Sequence, residues 1–96
     1  MTTIAIVSQV ADLNQREYTD RNGQQQIIQE REVWFRIDTT LFMGRLTGPS
    51  AVSFNGNYYE GHLCQVDFDL ATRKVEKEGR TSHFTDVEVQ RVQRIM

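Results

Sequence analysis

The sequence predicts an all-β domain of about five strands, arranged as an antiparallel barrel or a small sandwich. Three observations predict it. Apolar and polar residues alternate with period two along most of the chain. Turn signals punctuate the chain at regular spacing: Asn22-Gly23, Gly48-Pro49-Ser50 and Asn55-Gly56-Asn57. No segment carries the 3.6-residue repeat of an amphipathic helix. A length of 96 residues makes one domain, residues 1–96, with a modest core that oligomerisation would supplement.

The strands follow in chain order. Thr3–Val10 is dense in β-branched residues and forms the first strand. Ala11–Gln15 is a polar bend. Arg16–Arg21 and Gln24–Ile28 are the arms of a hairpin closed at Asn22-Gly23, two residues that both tolerate the positive φ of a tight turn. The second arm runs on through Val33, Phe35 and Ile37. Its core end is apolar, while Gln24, Gln25 and Gln26 suit a wing in solvent. Leu41–Leu46 is a short apolar piece holding Gly44 and Arg45, and Gly48-Pro49-Ser50 and Asn55-Gly56-Asn57 are turns. From Tyr58 to Leu70 a strand alternates, with Tyr58, His62, Cys64, Val66, Phe68 and Leu70 on one parity. Arg73–Arg80, with Gly79, is a further exposed hairpin. Phe84–Ile95 closes the chain as a strand whose apolar parity slips between Val89 and Val92, marking a bulge or a terminal helical turn. A five-stranded antiparallel OB-like barrel with protruding hairpins is the commonest arrangement at this length that also binds a ligand.

Composition narrows the functional classes. A hydrophobic share of 39% beside 25% charged residues excludes a disordered chain. No apolar run is long enough for a membrane and no secretion signal opens the sequence, so a cytoplasmic protein is expected. The lone Cys64 has no disulfide partner and reads as a small buried hydrophobe. Cys64, His62 and His83 do not make a zinc site, and no metal or cofactor is expected. No nucleophile elbow, phosphate-binding glycine loop or zinc motif is present. The acid pairs Asp67/Asp69 and Glu76/Glu78 lack a companion base, so they read as solvated surface. A catalytic role and a small-molecule substrate are therefore not expected.

Trp34 is the residue that points to a function. It shares its strand parity with Glu32 and Arg36, opposite Val33, Phe35 and Ile37, and so falls on the charged face. An aromatic among arginines on the wet side of a sheet is a candidate platform for stacking nucleobases. The competing expectation is that this face is covered by a partner sheet or a dimer mate, making the protein a β-barrel interaction module with Trp34 in a homo-oligomer interface. The net charge of −2 opposes nucleic-acid binding, but nine of the eleven basic residues are Arg, the better side chain for phosphate forks and for stacking. Arg16, Arg21, Arg31 and Arg36 flank the wing, and Arg45 follows on the next strand. Together they would form an electrostatic track for a single strand. Tyr18 on the wing and Phe42, opposite in parity to Leu41 and Met43, are further candidate aromatics.

These residues resemble the small single-stranded-DNA-binding proteins of filamentous bacteriophages. The resemblance rests on Arg16, on Arg21-Asn22-Gly23 and on Ile28-Gln29-Glu30-Arg31-Glu32-Val33-Trp34, with looser similarity from Asn57-Tyr58-Tyr59 through Phe68 and in the closing strand with Arg91 and Arg94. It implies an OB-like barrel and a homodimer that coats single-stranded DNA cooperatively during phage replication, in the host cytoplasm. It further implies phosphate contacts at Arg16 and Arg21, an aromatic facing the DNA at Trp34 and an apolar contact at Ile28. Basic contacts follow at Arg45 and at Arg91 or Arg94. The chain departs from that pattern at Gln24 and Gln26, where the family has Lys and an aromatic. Trp34 and the flanking arginines would then carry more of the binding.

Overall fold

The computed structural model describes residues 1–96. Six strands form in the order β1 (Thr2–Val10), β2 (Asn14–Thr19), β3 (Gln25–Ile37), β4 (Thr40–Thr47), β5 (Leu63–Lys77) and β6 (Arg80–Arg94). Two helical turns, α1 (Pro49–Ser53) and α2 (Gly56–Tyr59), lie between β4 and β5. All strands belong to one mixed sheet. A ring of hydrogen bonds passes from β1 to β3, β4, β6 and β5 and back to β1, while β2 pairs only with β3.

Two expectations are corrected. The sheet is not wholly antiparallel, because β4 and β6 meet in parallel at Gly44↔Val87 and Arg45↔Glu88. A parallel pair needs a long crossover, and α1, α2 and β5 provide it. The second correction concerns the two turns that follow β4, which open short helices. Pro49 sits in the first turn of α1, where its missing N–H costs nothing, and the Asn55 side chain caps α2 by accepting from Tyr58 N at 3.3 Å. Tyr58 and Tyr59 therefore lie on α2 rather than on a strand, and β5 begins only at Leu63. Helices of 5 and 4 residues are too short to show a helical period in sequence.

The core lies inside the ring. Val7, Val33, Phe35, Cys64 and Val66 are fully enclosed, and Ala5, Leu46, Ala51 and Val89 complete the cluster. Gly44 lets β4 approach β6: a Cβ there would lie 2.5 Å from Val89 Cγ2 and 3.1 Å from the Phe35 ring. Cys64 is buried as expected, and burial pushes its thiol above its ordinary pKa, against a smaller opposing effect of Arg94. A thiol reagent is accordingly expected to label Cys64 only as fast as the protein opens, and labelling followed with and without urea checks this.

The β2–β3 and β5–β6 hairpins carry mostly exposed residues and stretch the molecule to 45 × 27 × 21 Å. At the β2–β3 tip only Gly23 takes positive φ (79°), so Arg21, Asn22 and Gly23 form a three-residue loop with a left-handed glycine instead of a two-residue turn. Asp20 closes it, its Oδ1 accepting from Asn22 N and Gln24 N at 2.9 Å each. The Gln24 amide above all, then the Gln26 side chain and the Asn22 amide, hold this carboxyl below its ordinary pKa of 3.8, outweighing desolvation. The folded-state pKa is the lower one. The loop's contribution is therefore complete above pH 3.8 and fades as pH falls through the lowered value. Thermal melts of wild type and Asp20→Ala should differ near neutral pH and converge in acid.

Candidate functional site

Strand register decides which sequence candidates share a surface. In β3, Gln26, Ile28, Glu30, Glu32, Trp34 and Arg36 alternate with the inward Val33 and Phe35. Across from them β2 places Tyr18 opposite Gln26 and Arg16 opposite Ile28. On the other side β4 places Arg45 opposite Glu32, Met43 opposite Trp34 and Leu41 opposite Arg36. Directly opposed residues point the same way. Arg16, Tyr18, Ile28, Trp34, Arg36 and Arg45 therefore line one continuous outer face of β2, β3 and β4.

Trp34 is 38% exposed, the expected wet side of its strand. Its neighbours are apolar at Met43 and polar at Gln9 of β1. Arg36 is exposed and makes no ion pair within the chain, and Arg21 is exposed at the hairpin tip.

A residue that sequence reasoning did not single out organises the basic side chains. Glu30 is buried, and its Oε2 lies 3.3 Å from Arg16 Nε and 3.5 Å from Arg45 Nε. These pairs are held by charge: Glu30 Oε2 and Arg45 Nε have no hydrogen-bond partner. One carboxylate thus gathers two arginines from the strands on either side of β3. They flank a groove of about 280 Å³ lined also by Ile28, Thr47, Ser50, Glu88, Val89 and Gln90. The groove opens where β4 and β6 part after pairing only at Gly44↔Val87 and Arg45↔Glu88. Strand parity was the one available signal for Glu30, and it could not show that Arg16 and Arg45 converge on it.

Three sequence candidates lie elsewhere. Arg31 has the opposite parity and turns toward α1, where its Nε donates to Ala51 O at 2.9 Å and an Nη to Ala11 O at 3.2 Å. It ties β3 to α1 and to the β1–β2 connection instead of facing outward. Phe42 is not an exposed loop aromatic. It pairs with Phe35, stacks on that ring at 5.3 Å and packs against the core, leaving Leu41 and Met43 on the outer face. Arg91 is exposed on β6 opposite Asp67, in a neighbouring hollow beside α2.

The charge of the face is mixed. Glu30, Glu32 and Glu88 interleave with Arg16, Arg36 and Arg45, and Glu88 lies beside Arg45 across the parallel pair. Such a surface offers short-range contacts at each arginine rather than a long-range positive field. No group of three His, Cys, Asp or Glu side chains is placed to hold a metal ion, and no helix is long and apolar enough to cross a membrane. Compared with known proteins, the chain matches no family model and no curated protein.

Proposed function

We propose that the ring is an OB-like five-stranded barrel and that the protein binds single-stranded DNA without sequence preference through the outer face of β2, β3 and β4. Support for the barrel comes from the strand order β1–β3–β4–β6–β5 and from the helical segment ahead of β5. In OB-folds the face of the second and third barrel strands binds oligonucleotides, and those strands correspond to β3 and β4. The observation that carries the function is the register that brings Arg16, Tyr18, Ile28, Trp34 and Arg45 onto that face. Phosphates sit on Arg16 and Arg45, and bases stack on Trp34 and Tyr18. The resemblance to phage proteins extends this to a homodimer, encoded by a phage or prophage, that coats and protects the strand during replication. No catalytic step is involved.

Titration with oligo-dT and with duplex DNA, followed by the fluorescence of Trp34, tests the proposal. Single strands quench at low salt and release as salt rises, by counterion release, while duplex binds less tightly. Stacking on an aromatic is worth about 1–3 kcal/mol per base, so Trp34→Ala, which removes the one tryptophan and is followed instead by the anisotropy of labelled oligo-dT, binds roughly tenfold more weakly. Absence of quenching by oligo-dT at low salt rejects the proposal.

One observation favours a second reading. Trp34 and its partner Met43 adjoin the exposed Leu41, and Ile6 of β1 lies opposite Arg36 on the same face. This apolar strip suits an interaction module that buries Trp34 against a second copy. Under that reading Trp34→Ala dissociates an oligomer in sedimentation experiments and leaves any DNA affinity unchanged.

A further inference from the structure

The groove beside Arg16 and Arg45 does not end at β6. Val89 pairs with Phe68 and Arg91 with Asp67, so Gln90 is an extra residue in β6, the bulge expected from the parity slip. Its side-chain amide is anchored on Asp69 Oδ2 at 3.2 Å. Gln90 and Ser50 line both that groove and a second hollow of about 360 Å³ between α2 and β6. The two spaces therefore share a wall and form one path across the surface.

The second hollow differs from the first in chemistry. Its lining includes Phe54, Tyr58 and Arg91 and contains no carboxylate. Phe54 stacks on Tyr59 with ring centroids 4.6 Å apart, and Tyr58 meets Tyr59 edge-on at 4.9 Å. Tyr58 is nonetheless 50% exposed, and the Arg94 guanidinium covers its ring at 4.9 Å. Phe54 and Tyr59 also pack against the core, while the exposed Tyr58 and Arg91 leave the hollow open to a flat, anionic group.

We infer that this hollow is a second nucleotide subsite. The strand passes from Arg16 and Arg45 over Ser50 and Gln90 and places a base against Phe54 and Tyr58, with Arg91 on the adjoining phosphate. The inference rests on the single-strand reading and extends its path to the opposite side of the Gln90 bulge. It also gives Arg91 a place, although that residue lies off the Trp34 face.

Oligo-dT of about four and about twelve nucleotides, within the range of 4–16 covered by one OB-fold, separates the two claims. Quenching of Trp34 by the short oligonucleotide reports the first face. The longer one binds wild type more tightly, and Tyr58→Ala and Arg91→Ala each lose roughly tenfold of its affinity. Arg91 is exposed, so its variant tests the subsite without removing a packed ring, and circular dichroism melts establish that both variants fold. In addition, oligo-dT carrying 5-iodouracil crosslinks on irradiation to the peptide containing Phe54 and Tyr58. Wild-type affinity of both folded variants for the longer oligonucleotide, with no such crosslink, overturns the inference while leaving the Trp34 face intact. Failure of the short oligonucleotide to quench wild-type Trp34, with no binding of the longer one, rejects the functional reading and the subsite with it.

Discussion

Arg16→Ala combined with Arg45→Ala is expected to lower the affinity for oligo-dT by a hundredfold or more at low salt. Each arginine supplies a charge-assisted hydrogen bond to phosphate, of about 1.5–3 kcal/mol. The slope of log affinity against log salt also becomes shallower, by about 0.7 for each single-strand phosphate that is no longer neutralised. Trp34→Ala, by contrast, reduces affinity at every salt concentration and leaves the slope nearly unchanged, because stacking releases no counterions. The double variant has a structural side effect. It leaves Glu30 buried and without either cation, and an uncompensated buried charge destabilises a fold by about 3–5 kcal/mol. Adding Glu30→Gln removes that charge. The triple variant is expected to melt near wild type and still fail to bind, which separates the arginines' hold on phosphate from their part in the fold. Binding at wild-type strength by the folded triple variant would remove the arginine pair from the mechanism.

Phe35→Ala is expected to leave little folded protein at 37 °C. Phe35 is fully enclosed, stacks on Phe42, and borders the close approach of Gly44 to β6. Phe-to-Ala changes in a core cost about 3–5 kcal/mol through lost transfer energy and an unfilled cavity. A domain of this size has a total stability of roughly 5–14 kcal/mol, so this one change removes a large part of it. The pairing of β4 with β6 at Gly44↔Val87 holds the backbone beside the ring, which limits how far the site can collapse into the space. Urea denaturation followed by Trp34 fluorescence checks the expectation. A midpoint within experimental error of wild type would show that the ring closes without Phe35.

These two expectations draw on different levels of the molecule. The inward Phe35 and the outward Trp34 follow from alternation along a single strand, and β3 kept that pattern because its inner face packs a core. The Asn22-Gly23 and Gly79 hairpins were legible from the backbone preferences of their turn residues, and the bulge near Val89 from a slip in apolar parity along one strand. Phe42 was misplaced because a short apolar run has no parity of its own until a partner sets it. Pairing with Phe35 turned it inward. Arg31 shows the opposite failure. Its charge marked it as a ligand contact, yet partly buried backbone at Ala11 and Ala51 offered carbonyls that required a donor.

Local spacing and turn chemistry suffice for a mostly-β chain, the β2–β3 wing, the burial of Cys64 and the outward parity of Trp34, and these were readable from the residues alone. Three features emerge only on folding: β4 closes in parallel on β6, Glu30 draws Arg16 and Arg45 to the edge of one groove, and Gln90 joins this groove to a hollow beside Tyr58. Each of those features brings together residues from strands far apart in the chain. Such meetings are set by which strand pairs with which, and at what register, and no local pattern encodes them.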